Sequence, residues 1–357
     1  MDSLEKRVIR KESEKNLRVY VDAYLEKNLG DDLFIDILIK RYPNHKFYAI
    51  SKGKKYSKYQ NLKIYSNEYV FRALKKFQLE KYLANCFDLV VSIGGSMYME
   101  KGDSKRDFSL GRKKRFILGS NFGPYKTQEY FNNLKNIFKL AEDVCFREKY
   151  SYDLFSDLKN VRYASDIVFS MDTKDIKITN RKRAIISIIS CDYKLDETYK
   201  KVYEEKIIEL ITFLQYKKYE ICLMSFCKVE KDEDAIRSIL SKCNYELKKK
   251  VQVYYYNGNI EEALNIIGDS SLVVGSRFHA NIIGLLLGKT IIPVIYSDKT
   301  KHVLDDMNVK TKMIDIRDIE NFSIDSINDD DLNRIIDVTK QRKDAIKHFE
   351  ILDKVLG

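Results

Sequence analysis

Arg277, Phe278 and His279 lie in the stretch of this chain richest in chemistry, Ser271-Leu-Val-Val-Gly275-Ser276-Arg277-Phe278-His279-Ala280-Asn281. A β-branched run leads into Gly-Ser, and a strongly apolar helical pattern, Asn281–Leu287, follows. Such a turn sets a helix N-terminus beside a strand end, where N–H groups and the positive end of the helix dipole attract an anion. Ser276 is placed to cap that helix, and Arg277 offers a planar, two-pronged donor suited to phosphate or carboxylate. His279 is one of only four histidines and can give or take a proton near neutral pH. Anion binding joined to proton transfer is the chemistry these residue types support.

Three earlier segments also end strands with useful groups. Asn28-Leu-Gly30-Asp31-Asp32 joins a tight-turn glycine to carboxylates that can cap a helix. Gly94-Gly95-Ser96 follows the apolar run Phe87–Ile93 and lets a ligand approach backbone N–H groups. This loop is not GxGxxG and carries no Walker lysine, so neither a dinucleotide nor a P-loop site follows from it. Arg147, in Val144-Cys-Phe146-Arg147-Glu148, sits between a short apolar strand and a helix. His302, near the start of a later helical pattern, is a secondary cleft candidate. Each segment has a purely structural reading as well: a helix cap, a strand-ending turn, a surface arginine or histidine, or a salt-bridged Arg277 beside a buried His279.

Short apolar runs alternate with amphipathic helical stretches along the chain, the pattern of parallel sheets covered by helices. Strands are expected at Leu17–Val21, Lys46–Ile50, Leu62–Tyr65, Phe87–Ile93, Arg115–Gly119 and Val144–Phe146, with helices at Asp32–Arg41, Glu68–Asn85, Gln128–Ala141 and Tyr150–Leu158. A polar linker, Asp172–Arg183, precedes a second series of strands: Ala184–Ile189, Glu220–Ser225, Val251–Tyr255, Ser271–Val274 and Thr290–Ile295. Its helices are Glu197–Tyr216, Lys231–Ser241, Ile260–Ile267, Asn281–Leu287 and Asp330–Phe349. The fold class expected is α/β, two Rossmann-like domains over residues 1–175 and 176–357 that face each other across a cleft holding the site.

Composition narrows the classes of function. The chain has 357 residues and a net charge of +11, from 64 basic and 53 acidic residues. That balance attracts anionic partners, but the charges are interspersed and no nucleic-acid motif stands out, so no nucleic-acid partner is expected. Six cysteines form no CxxC pair, and no His, Asp or Glu set has ligand spacing, so no metal is expected. Met1–Lys15 has no apolar core of a signal peptide and no apolar run reaches 18 residues. A cytoplasmic protein is expected, with a basic balance suited to peripheral contact with the anionic inner face of a membrane.

Taken together, Asn28-x-Gly30-Asp31, Gly94-Gly95-Ser96, Gly119-Ser-Asn-Phe-Gly123-Pro124, Phe146-Arg147-Glu148 with Ser151, Ser165-Asp166-Ile-Val-Phe169 and Gly275-Ser276-Arg277-Phe278-His279-Ala280 resemble the polysaccharide pyruvyltransferase family. The resemblance covers about three quarters of the chain. It implies a GT-B-like fold, phosphoenolpyruvate as donor substrate with no separate cofactor, and a glycan or lipid-linked oligosaccharide as acceptor. It ties Arg277-Phe278-His279 to donor binding and catalysis, and Arg147 matches a second arginine. The donor carries both phosphate and carboxylate, which suits two arginines, a helix N-terminus and an imidazole. Ser96 stands where relatives commonly have a third glycine, and Ile167 where they have proline. A sugar-nucleotide glycosyltransferase of the same architecture is the rival expectation, although Asn281–Leu287 lacks the acidic residue such enzymes use to hold the donor ribose.

Overall fold

A computed structural model describes residues 16–51, 59–77, 79, 82, 84–100, 113–195 and 197–357. Met1–Lys15 and part of the expected helix Glu68–Asn85 lie outside the described residues. The chain forms two compact units: the first takes residues up to Glu26, Phe34–Ile167 and Lys343–Gly357, the second Lys27–Leu33 and Val168–Arg342.

The first unit carries β1 (Arg18–Asp22), most of α1 (Leu29–Arg41), β2 (Lys46–Ser51), β3 (Leu62–Ser66), α2 (Glu68–Lys76) and β4 (Leu89–Ile93). It continues with β5 (Arg115–Ser120), α3 (Gln128–Leu140), β6 (Asp143–Phe146), α4 (Lys149–Leu154) and β7 (Val161–Tyr163). The strands form one parallel sheet in the order β3-β2-β1-β4-β5-β6-β7. β4, β5 and β6 are buried along their whole length, as expected of strands covered on both faces. Phe122, Phe138, Phe146 and Phe155 pack edge-on and stacked beneath α3, whose first turn is capped by Thr127 accepting from the Tyr130 N–H.

The second unit carries β8 (Arg183–Ser187), α5 (Thr198–Tyr216), β9 (Glu220–Ser225), α6 (Asp232–Lys242), β10 (Val251–Tyr255) and α7 (Ile260–Gly268). After them come β11 (Leu272–Gly275), α8 (Phe278–Leu286), β12 (Thr290–Ile295), α9 (Asp298–Asp306) and the two-residue β13 (Ile314–Asp315). Its parallel sheet runs β10-β9-β8-β11-β12-β13. Counted within each unit, both sheets begin with the order 3-2-1-4-5-6. The strand order reverses between the first and fourth strands, where open α/β sheets bind ligands beyond their carboxyl ends.

Three features depart from the sequence expectation. The unit boundary falls between Ile167 and Val168 rather than at 175, residues 27–33 join the second unit, and residues 343–357 return to the first. The strands β7 and β13 are too short to leave a pattern. The expected helix Asp330–Phe349 is broken into Asp329–Asn333, α10 (Thr339–Ala345) and a 3-10 turn, Ile346–Phe349, followed by α11 (Glu350–Leu356). Asn328 closes a capping box with Asp331, the non-helical stretch 334–338 carries the β-branched Ile335, Ile336 and Val338, and Asp337 accepts from the Thr339 N–H where helix resumes.

The returning C-terminal segment is fixed within the first unit by polar contacts. Asp353 accepts from Arg41 Nε (2.9 Å) and from the Tyr42 hydroxyl (2.7 Å), and the His45 ring meets the Leu356 carbonyl. Arg162 donates to the Lys347 and His348 carbonyls, and Asp344 accepts from the Ser165 N–H. His348 is fully buried, with Nε2 2.9 Å from the Ser165 carbonyl and no partner on Nδ1 among the described residues. Burial first, then the nearby Arg162 charge, lower its pKa from 6.5 to about 4. The unfolded chain therefore takes up this proton at higher pH than the native one, and stability is lost as pH falls from about 6.5 towards 4. Chemical denaturation is expected to show a loss of up to about 3 kcal/mol across that window. His348→Asn, which keeps a donor for the Ser165 carbonyl, should flatten the slope; an unchanged slope would assign it to other groups.

Candidate functional site

Arg277, Phe278 and His279 occupy the turn from β11 into α8, as the hydrophobic pattern requires. The helix N-cap is Arg277 itself, not Ser276 as expected. The Ser276 hydroxyl instead lies 2.9 Å from the buried Tyr203 hydroxyl, which accepts from the Ile189 N–H. Asn281 closes the turn, donating to the Gly275 carbonyl (2.9 Å) and less closely to that of Arg277. A Cβ on Gly275 would lie 2.1 Å from Asn281 Oδ1, so only glycine admits this bracing.

The Arg277 guanidinium is buried and already engaged by carboxylates. Asp232, the first residue of α6, takes Nε at 3.0 Å through one oxygen and Nη2 through the other, while Glu230 takes Nη1. The two-pronged donor expected to be open to an anion is thus satisfied by protein groups in this structure. Burial opposes the charge, but Asp232 and Glu230 outweigh it and hold Arg277 protonated far above its ordinary range. Burial also raises the Asp232 carboxyl, against the pull of Arg277 and of the Phe226 and Cys227 N–H groups, which donate at 3.0 and 2.9 Å.

Those amides connect the arginine to the segment expected in the first domain. The Leu29 N–H donates to the Phe226 carbonyl, and Asn28 forms an isolated antiparallel bridge with Cys227. Asn28 Oδ1 accepts from the Gly30 N–H, and the buried Asp32 accepts from the Tyr256 hydroxyl at 2.7 Å. Gly30 then lies directly under the imidazole: a Cβ there would stand 1.8 Å from His279 Nδ1. On another side the Phe278 ring meets His279 edge-on, with centroids 4.9 Å apart. The half-buried Asp31 completes the first turn of α1. Two motifs separated by some 250 residues thus form one cluster in the second unit. His302 is half-buried in α9.

The first unit builds a second cluster where β4, β5 and β6 end. Arg147 is buried and donates to Asn121 Oδ1 at 2.8 Å and to the fully buried Asp166 at 3.1 Å. A Cβ on Gly95 would lie 2.5 Å from Arg147 Nη1, so the neighbour that requires glycine there is the guanidinium. Ser120 Oγ donates to the Gly94 carbonyl and the Asn121 N–H to that of Gly95. Ser151 accepts from the Phe122 N–H and donates to Glu148. Ser96 is exposed, its hydroxyl 3.5 Å from Asn121 Oδ1. Ile167 packs over Gly119, whose φ of +71° suits glycine. Sequence reasoning did not single out Glu230, Asp232, Tyr256, Asn121 or Asp166 as site residues. Asp232-Glu-Asp reads only as a helix start, and nothing local reveals a partner 45 positions away.

Among the described residues no helix is long and apolar enough to cross a membrane, and no group of three or more His, Cys, Asp or Glu side chains could hold a metal ion.

Two parallel-sheet α/β units with polar clusters at their strand ends are of the GT-B-like class. Solved structures of similar fold include the UDP-GlcNAc 2-epimerase of Methanocaldococcus jannaschii in complex with UDP-GlcNAc and UDP, with a TM-score of 0.61, 10% identity, and coverage of 94% of this chain and 99% of that one. Anabaena Alr3699/HepE in complex with UDP-glucose gives a TM-score of 0.56 at 11% identity, over 95% and 97% of the two chains. The amylovoran biosynthesis protein AmsJ of Erwinia amylovora is 21% identical over 295 residues, 74% of this chain and 70% of that protein. The profile of the family described as polysaccharide pyruvyl transferase matches residues 28–298, and the chain belongs to that family.

The Gly30–His279 contact generates a direct test. Gly30→Ala must turn the imidazole out of its seat, with an overpacking cost of about 1–3 kcal/mol. We expect displaced His279 imidazole signals in NMR spectra and a lower denaturation midpoint. Unmoved signals at full stability would show that the ring does not rest on Gly30.

Proposed function

We propose that the protein moves pyruvyl from phosphoenolpyruvate onto a sugar of a cell-surface polysaccharide or its lipid-linked precursor, forming a ketal. Membership of the pyruvyl transferase family and similarity to a protein of amylovoran biosynthesis support this reading. The observation that carries it is the seat of His279, in the first turn of α8, next to Arg277 and against Gly30.

In this reaction a proton adds to the methylene carbon of the donor, and C2 becomes the electrophile. One sugar hydroxyl adds to C2, and a second displaces phosphate to close the ketal. Of the two hydroxyl protons released, one balances that taken by the methylene carbon and the other leaves with phosphate. His279 is assigned the proton transfer, the role for which an imidazole beside an anion site is suited. The N-terminus of α8 and Arg277 are assigned the donor's negative groups. Arg147, held by Asp166 and Asn121, is assigned a substrate anion in the first unit, together with the loop Gly94-Gly95-Ser96. Asn28, Gly30, Asp31, Ser276 and Phe278 shape the ground around His279, and His302 is a secondary substrate contact. We further propose that the protein works in the cytoplasm, its basic balance favouring anionic leaflets that carry a lipid-linked acceptor.

Phosphoenolpyruvate is expected to raise the melting temperature, and UDP-sugars to leave it unchanged; the reverse pattern would favour the sugar-nucleotide reading. In phosphate-release assays with a panel of glycosides, His279→Ala should fold, retain donor affinity and lose about a hundredfold or more in turnover. Full activity of that variant would refute the assigned proton transfer.

A further inference from the structure

Tyr203 ties together the two loops that leave the centre of the second sheet. β8 and β11 are neighbours where the strand order reverses, with Ser187 paired to Gly275. Just beyond, the Ser276 N–H donates to the Ser187 carbonyl at 3.3 Å and the Arg277 N–H to Ser187 Oγ at 3.0 Å. Tyr203 reaches the same seam from α5. Its phenol oxygen lies 3.3 Å from the Ile189 nitrogen and 2.9 Å from Ser276 Oγ. Both side chains are buried, with 1% of Tyr203 and 1% of Ser276 exposed.

This run of hydrogen bonds has a direction. The Ile189 N–H can only donate, so the phenol oxygen accepts from it. Burial pushes the Tyr203 phenol up, so it keeps a proton to give. A phenol is a stronger donor and a weaker acceptor than an alkyl hydroxyl, so Tyr203 donates to Ser276 rather than the reverse. Ser276 Oγ then still has its own proton to place, and among the described residues no other protein group bonds to it. A buried hydroxyl proton without an acceptor is costly, and each link of such a run polarises the next. Ser276 directly precedes Arg277, the N-cap of the nine-residue α8, whose first N–H groups attract an anion.

We propose that the Ser276 hydroxyl donates a hydrogen bond to the phosphate of the donor at the N-terminus of α8, and that Tyr203 is the positioning residue that turns the proton towards it. This rests on the reading of that helix end as the donor's anion site. The relay runs from the Ile189 amide through the phenol to the serine and ends on a phosphate oxygen. It gives the site a neutral donor beside Arg277, whose guanidinium already engages Asp232 and Glu230.

Isothermal titration of the full-length protein with phosphoenolpyruvate, and separately with inorganic phosphate, tests the relay. Tyr203→Phe and Ser276→Ala should each weaken binding of both about tenfold. The double variant should lose about the same tenfold and not a hundredfold, because the two residues act through one proton. In phosphate-release assays KM for phosphoenolpyruvate should rise while kcat changes little, a split that a merely loosened fold would not give. Should Tyr203→Phe fail to fold, Ser276→Thr, which keeps the hydroxyl, should bind far more tightly than Ser276→Ala. Unchanged affinity in Ser276→Ala would overturn the contact, and losses that multiply in the double variant would overturn the role of Tyr203. Weaker binding of phosphoenolpyruvate with unaltered binding of inorganic phosphate would overturn the assignment to phosphate. Wild-type protein that binds inorganic phosphate but not phosphoenolpyruvate, with the same tenfold losses, would uphold the relay and remove the donor reading; binding of neither would overturn both.

Discussion

The paired hydrogen bonds between Asp232 and Arg277 are the constraint on which the second unit's chemistry depends. Asp232 gathers the guanidinium and the two amides that follow β9, and those residues in turn bind the Asn28 turn through the Leu29 N–H and the Asn28–Cys227 bridge. The position of Gly30 under the imidazole follows from that chain of contacts. An ion pair this deep contributes little net stability, because desolvation offsets most of the attraction, but breaking it leaves an uncompensated charge. Its value lies in fixing where the ends of β9 and β11 meet the Asn28 turn.

The first unit reaches a similar arrangement by different means. Arg147 is held by one carboxylate and one amide oxygen over a glycine without a side chain to block it. In both units an arginine follows a buried strand, β6 or β11, of a sheet with the same opening order. The clusters therefore sit where parallel strands deliver their carboxyl ends, the location at which this architecture places polar groups in other α/β proteins.

Much of this was legible in the sequence. The apolar runs that became β9 and β12 match their observed bounds, because strands buried along almost their whole length leave unbroken apolar segments. Arg277, His279 and Gly30 stood out for their residue types and their places after strands. What the chain did not reveal was who pairs with whom. Glu230 and Asp232 look like ordinary acidic residues at a helix start, a role that satisfies local rules and conceals a long-range one. Asp32 likewise reads as a helix cap, yet its carboxylate accepts from Tyr256, 224 positions away. The break in the C-terminal helix leaves no mark in the periodicity, which does not register the β-branched cluster at 335–338 or the Asp337–Thr339 contact that restarts the helix.

The return of Lys343–Gly357 to the first unit sets the order in which that unit can be completed. Arg41 and its partner Asp353 are 312 positions apart. At typical rates of synthesis, about 5–20 residues per second, the arginine waits some tens of seconds for its carboxylate. Until then the β1–β7 sheet exists without the strap that binds Arg41, Tyr42, His45 and Arg162. The second unit, apart from its 27–33 segment, is made within that interval. A nascent chain of this protein is therefore exposed longest on the domain that emerges earliest, and a fragment ending near residue 175 would lack the last part of its own fold.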